Sequence, residues 1–248
     1  AYLVVVASTT LLVIFLTVPS DSIQRTDKLF YDLLALSNFA FWAENSYFDS
    51  SSFKPLLNIW SLAVEIQFYL LAPFILPFLH NRKILLISTA FVSFLISIIF
   101  ITISPKTSFF MLPTRFWEFI FGVLVAWYFV KNYQTKTDSF IVSFLILCIL
   151  SVMFFFPIPN DSFNILTGHP GLAALIVVAS TALIILIGFD KSIFIQSYFA
   201  RMLIKVGDYS YSIYLTHFPI IILVNYNAFS GTKLGFDDTT DLVLIILL

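Results

Sequence analysis

From Ile84 to Ile103 the chain runs twenty residues without a charged side chain. As a helix this stretch is about 30 Å long, which matches the hydrocarbon core of a bilayer. A helix on the surface of a water-soluble fold carries charged residues on its outer face, and this one has none. The whole chain shares the bias: 60% of its residues are hydrophobic and 11% are charged, against about 25% charged in ordinary globular domains. The excess apolar surface must therefore face lipid. A net charge of -1 offers no basic surface to nucleic acid. One cysteine, Cys148, excludes an internal disulfide and a cysteine-based zinc site. In the middle of an apolar run, it reads as a small residue facing lipid or a neighbouring helix.

Further apolar runs of helical length predict an all-α, polytopic transmembrane helix bundle. They cover Tyr2–Val18, Ile59–Leu79, Ile84–Ile103, Pro113–Val130, Phe140–Phe156, Gly171–Phe189 and Tyr209–Val224. A mixed aromatic segment, Leu29–Trp42, reads as re-entrant or interfacial. Alternation at period two is absent, which argues against a barrel. The chain starts directly in apolar sequence at Ala1, with no basic leader. The run from Asp241 to Leu248 is too short to cross a bilayer. Both ends therefore read as cuts through a bundle.

Basic residues suggest the orientation. Arg82, Lys83, Lys131, Lys136, Lys191, Arg201 and Lys205 fall on one side of the spans, which is assigned to the cytoplasm. Arg25, Lys28, Lys54, Lys106, Arg115 and Lys233 fall on the other, with most of the acids.

Three stretches put polar groups where lipid-facing helices should have none, and such residues mark a bundle interior, a cavity or a pathway. In the first, Asn58, Ser61, Glu65 and Tyr69 lie three, four and four residues apart on one helix face. Glu65 there could be a general base or substrate clamp, or a structural link between helices. Asn58 could cap the helix. In the second, Pro113 suits a first helical turn, and Arg115, Glu118 and Gly122 share a face. They form either a self-neutralising pair with a close-packing glycine, or a site where Arg115 holds an anionic or carbonyl group. In the third, Asp208 suits an N-cap, Ser210, Tyr214 and His217 share a face, and Pro219 frees the carbonyl of Leu215. His217 is either an inter-helix hydrogen bonder or a proton-transfer group. His80 reads as interfacial and His169 as a loop residue. No histidine pair has metal-ligand spacing, and there is no phosphate loop.

Together these stretches resemble the acyltransferase 3 family, membrane-bound O-acyltransferases that modify surface polysaccharides such as lipopolysaccharide O-antigen. Trp60-Ser61-Leu62-Ala63-Val64-Glu65-Ile66-Gln67-Phe68-Tyr69 resembles its W-S-L-x-V-E-x-Q-F-Y signature. Phe110 to Glu118 resembles F-x-L-P-x-R-x-W-E, and Ser210 to Pro219 resembles S-Y-S-x-Y-L-x-H-x-P. Asn38 and Tyr47-Phe48-Asp49 also match positions common in the family. Two positions depart from it: Asn58 stands where members often have His, and Ile66 where they often have a second Glu.

The resemblance implies that residues 1–248 are a partial membrane acyltransferase domain. The family's two N-terminal spans, with a catalytic histidine and an acyl-CoA-handling loop, would be missing, as would its C-terminal end, leaving this stretch inactive alone. It implies transfer of an acyl group, most simply acetyl, from cytoplasmic acetyl-CoA to a glycan hydroxyl outside a bacterial inner membrane, with no bound cofactor or metal. Glu65, Arg115 and His217 would be the catalytic residues. Trp60, Ser61, Tyr69, Glu118 and Tyr214 would line the substrate site. The partners implied are the lipid bilayer, acyl-CoA and a glycan acceptor. The competing reading is a secondary transporter or flippase, with Glu65, Arg115 and His217 on a proton-coupled path. Transporters of that kind often carry internal repeats, and none is visible here.

Overall fold

A computed structural model describes residues 1–44, 53–80, 82–131, 146–148, 150–151, 170–187, 198–227 and 231–232. The helices are α1 (Tyr2–Leu16), α2 (Pro19–Leu33), α3 (Ser37–Ala43), α4 (Ile59–His80), α5 (Lys83–Ile103), α6 (Pro105–Phe110), α7 (Leu112–Lys131), α8 (Leu172–Ile187) and α9 (Tyr198–Val224). The strands among the described residues are β1 (Tyr226–Asn227) and β2 (Gly231–Thr232), paired antiparallel. The fold is an all-α membrane helix bundle.

Among the described residues, three segments are long and apolar enough to cross a bilayer: Ile59–Leu79, Lys83–Ile103, and α6 with α7 over Pro105–Val130. The 21 residues of the first make a helix about 31 Å long. Only 28% of each spanning window is buried. Phe74 is 79% exposed and Ile84 is 86% exposed, so the outward surface of these helices is hydrocarbon-like. Helices α1 and α8 are apolar but shorter. Pro73 and Pro77 lie inside α4 and Pro219 inside α9, where neighbouring groups can re-satisfy the freed carbonyls.

Two sequence expectations are corrected. The last described helix starts at Tyr198, not Tyr209. Asp208 is therefore an interior helical residue and not a cap, and Arg201 and Lys205 are helical as well. The aromatic segment expected at Leu29–Trp42 resolves into two helices. The first begins as early as Pro19, whose fixed φ suits a helix start. Most of the span expected at Phe140–Phe156 lies outside the described residues. So do Tyr47, Phe48, Asp49, Lys136, His169, Lys191, Lys233, the run from Asp241 and the side chain of His80. Cys148 is described and exposed.

The chain divides into two compact units. The first joins Ala1–Gln67 to Lys205–Leu248. Its core has two buried clusters, Val6 with Leu56 and Ile59, and Val13 with Phe53 and Ile222. Tyr226 fastens the second cluster. Its ring meets Phe53 edge-on at 4.9 Å between centroids. Its hydroxyl accepts from the Val18 N–H at 3.1 Å and donates to Asp21 Oδ2 at 2.7 Å. Between α2 and α3, Ala35 has φ 55°, a left-handed conformation that costs a non-glycine residue about 1–2 kcal/mol. Gln67 Nε2 holds this corner by donating to the Ala35 carbonyl at 3.0 Å and to Asn38 Oδ1 at 2.8 Å.

The second unit is Phe68–Ile204. Leu79, Leu86, Ala90, Trp117 and Ile120 form its buried core. Buried hydroxyls join its helices, a common device where lipid outside offers no hydrophobic gain. Ser108 donates to the Ser97 carbonyl at 3.0 Å, Ser97 to the Pro170 carbonyl at 3.2 Å, and Thr114 to the Ser108 carbonyl at 2.8 Å.

Desolvation, with the adjacent Asp21 carboxylate, holds the Tyr226 phenol above its ordinary value. A raised folded pKa means that the folded state keeps this proton after the unfolded chain has lost it. The associated stability is present at neutral pH and falls as pH rises through and above the usual phenol value of about 10. Chemical unfolding followed across that range should show a shallower alkaline loss for Tyr226→Phe than for the parent, from a lower starting stability. Equal slopes would dismiss this linkage.

Candidate functional site

The candidate residues divide between the two units. Trp60, Ser61, Glu65, Tyr214 and His217 belong to the first, and Tyr69, Arg115 and Glu118 to the second.

In the first unit a reciprocal knot ties the start of α4 to α9. Asn58 Nδ2 donates to the Tyr214 carbonyl at 2.7 Å, and Tyr214 Oη donates to the Asn58 carbonyl at 2.9 Å. Ser61 Oγ also bonds to Tyr214 Oη. Ser61 Oγ also reaches the Asn58 carbonyl at 3.2 Å, so the two hydroxyls share one carbonyl and either can supply the hydrogen between them. Ser61 and Tyr214, both expected at a substrate site, are thus brought together across 153 positions. Asn58 directly precedes α4 but does not cap it. Its Oδ1 is buried and has no hydrogen-bond partner among the described residues. Such an acceptor is costly to leave unfilled, at about 1–3 kcal/mol.

One α4 turn beyond Ser61 stands Glu65, partly buried, while Trp60 is buried at 7% exposure. His217 is partly buried, with its ring 5.7 Å from that of Tyr214. His217 Nδ1 lies 3.0 Å from the Ile213 carbonyl. A carbonyl can only accept, so Nδ1 carries the hydrogen in this bond. In the neutral ring the lone pair then sits on Nε2, so that atom is the one able to take a proton.

In the second unit Arg115 Nη2 meets Glu118 Oε2 at 3.1 Å, the ion pair expected from their spacing. Ser93 reaches from α5 into the same turn of α7. It donates to the Pro113 carbonyl at 2.6 Å and accepts from the Trp117 N–H at 3.0 Å. Those two groups are four residues apart, the pair that one helical turn joins. Arg115 and Glu118 are therefore carried on a turn held by a foreign hydroxyl.

Glu118 Oε1 is buried with no hydrogen-bond partner among the described residues. Glu118 also lines a cavity of about 460 Å³ between α7 and α8, whose walls include Phe121, Gly122, Val125, Val178 and Ala182. Gly122 corrects the close-packing expectation: a Cβ there would meet nothing within 4 Å among the described residues. Tyr69, expected to line a substrate site, is 59% exposed.

Sequence reasoning gave no role to three further groups. Gln67 and Asn38 secure the Ala35 corner. Ser93 props the α7 turn. Lys28, Asp32 and Lys54 surround a small cavity of about 10 Å³, the size of one water. Asp32 is 1% exposed, Lys54 is 6% exposed, and Lys28 pairs with Glu44 at 2.6 Å. Gln67 stood in a quoted signature and could have been singled out. Asn38 likewise matched a family position, whereas Ser93, Lys28, Asp32 and Lys54 are visible only through contacts in the folded chain. No group of three or more metal-ligating side chains occurs among the described residues.

The family described as "Acyltransferase domain" matches residues 2–248. O-acetyltransferase OatA of Staphylococcus aureus strain NCTC 8325 / PS 47 is 28% identical over 224 residues, 84% of this chain and 36% of that protein. A second Staphylococcus aureus protein, SACOL0978 of strain COL, is 28% identical over 248 residues, 90% of this chain and 38% of its own length. The chain thus spans little more than a third of the curated relatives it matches. No solved structure matches it.

Replacing Tyr214 by Phe removes the two hydroxyl bonds of the knot and keeps the ring. Thermal unfolding of the detergent-solubilised protein should show a loss of about 1 kcal/mol. Unchanged melting would mean that the knot contributes no stability.

Proposed function

The chain belongs to the acyltransferase 3 family, and on that premise we propose that the protein containing it is a membrane O-acetyltransferase. It would move an acetyl group from cytoplasmic acetyl-CoA to a hydroxyl of an extracytoplasmic glycan, in a bacterial cytoplasmic membrane. The observation that carries this reading is the acyltransferase-domain match over residues 2–248, supported by a relative named O-acetyltransferase.

The chemistry needs a base and a positive charge. A hydroxyl attacks a thioester carbonyl only as its proton leaves, and the tetrahedral intermediate carries negative charge on oxygen. The oxygen–carbon bond forms, the carbon–sulfur bond breaks, and the thiol leaves with the proton. Each residue is assigned a role within its own unit. His217, with Nδ1 engaged by Ile213, would offer Nε2 to a proton. Glu65 would take a proton itself or stabilise a neighbouring imidazolium, as carboxylates do in triad-like sites. Trp60, Ser61 and Tyr214 would shape the surrounding wall. Arg115, fixed by Glu118, would hold an anionic or carbonyl group of donor or acceptor.

In the complete protein, Glu65→Gln should lower transfer of labelled acetyl from acetyl-CoA to glycan by about 10²-fold or more, with membrane insertion intact. Arg115→Lys should also impair transfer, because a lysine keeps the charge and loses the fork of donors. Parental turnover by Glu65→Gln would remove that residue from the mechanism. Sugar uptake into vesicles with no acetyl transfer would overturn the enzymatic reading in favour of a transporter.

A further inference from the structure

Helix α2 is built inside out for water. Its charged side is turned into the protein. Lys28, with a side chain only 15% exposed, pairs with Glu44. Asp32 is 1% exposed. Asp21 receives the Tyr226 hydroxyl. The outward side is largely apolar, with Ile23 61% exposed, Phe30 66% and Leu33 47%, and it carries the exposed Asp27 beside them. These three lie seven and three residues apart, on one helical face. A helix packed on a soluble domain has the opposite arrangement, with its apolar stripe on the core and its charges in water.

The hydroxyls next to the stripe are already satisfied, and the Asp27 carboxylate sits at its edge, where an interfacial helix keeps its charges among the headgroups. Thr26 Oγ1, on the same face, donates to the Ile23 carbonyl at 2.9 Å. Ser22 Oγ, on its flank, donates to the Pro19 carbonyl at 2.9 Å. A surface in contact with hydrocarbon must bond its polar groups internally in this way. The stripe also continues an apolar surface. Helix α1 ends two residues upstream with Phe15 81% and Leu16 63% exposed. Downstream, α3 turns Phe39 and Trp42 outward, in keeping with an aromatic belt at a membrane boundary.

At 15 residues, and with Asp21, Arg25, Asp27, Lys28 and Asp32 in it, α2 cannot be a span. We propose that α2 lies in the plane of the membrane interface, with Ile23, Phe30 and Leu33 inserted among the lipids and its charged face closing onto the protein. The partner is the bilayer surface where α1 emerges. Interfacial amphipathic helices insert about 5–10 Å into this zone. The inference does not depend on the acetyl-transfer reading.

Nitroxide labels placed one at a time at Ile23→Cys, Phe30→Cys, Leu33→Cys and Asp27→Cys test it. The complete protein, with its native cysteines replaced, is reconstituted into phosphatidylcholine–phosphatidylglycerol vesicles. Power saturation with oxygen and with a water-soluble nickel chelate then reports depth. Positions 23, 30 and 33 should collide more with oxygen than with nickel, and position 27, at the polar edge of the same exposed face, should register as shallower than all three. Nickel dominance at all four sites would place the stripe in water and overturn the proposal. Inaccessibility of the three to both reagents would place them against protein, in a second copy or elsewhere in the chain, and would overturn it equally.

Discussion

Inside a bilayer no water is available to complete a hydrogen bond, so every buried polar group must find its partner in the protein. The described helices follow this constraint in detail. Hydroxyls on α1 turn back on their own helix, as Thr10 does to the Val6 carbonyl at 2.7 Å and Thr17 to the Val13 carbonyl at 2.7 Å. Hydroxyls between helices become joints, as Ser93, Ser97 and Ser108 do. The same rule sets apart the few atoms that do not comply. Asn58 Oδ1, Trp117 Nε1 and Glu118 Oε1 are among the buried atoms without a hydrogen-bond partner among the described residues, and these three belong to stretches that sequence reasoning had marked as chemical.

The apolar part of the fold was legible from hydropathy because lipid contact acts on each residue locally. The run read as Ile84–Ile103 is helical over Lys83–Ile103, and Ile59 begins α4 as expected. Charged segments were misread because their solution is not local. Helix α2 carries five charged residues, and only its last part, from Leu29, fell within a segment singled out from the sequence. Two of its charges find partners far along the chain or outside the helix, Lys28 on Glu44 and Asp21 on Tyr226. The start of α9 was misplaced for a related reason. Gly207 and Asp208 look like a break, yet the helix runs through them, overriding a glycine cost of about 1 kcal/mol.

Spacing revealed which candidate residues share a face but not what they touch. Arg115 and Glu118 were legible as a pair because both partners sit on one turn. Ser61 and Tyr214 were each visible as polar residues in a span, but their bond joins positions 153 apart. The protonated nitrogen of His217 was not legible at all, since it depends on a carbonyl that only the folded helix brings within 3.0 Å.

The first unit is discontinuous, and this bears on the order of assembly. Residues 68–204 form a continuous stretch that can pack as soon as it has been made. The unit holding Glu65 and His217 cannot close until residues from 205 onward are available. Its fastenings span nearly the whole chain: Val13 packs with Ile222, Val18 bonds Tyr226, and Asn58 bonds Tyr214. Contacts of such long range are the slowest to form, because the loop must close before any bond rewards it. During synthesis, α1 to α3 and the head of α4 therefore wait for α9. Glu65 and His217 come into one unit only when the segment from Lys205 packs onto Ala1–Gln67.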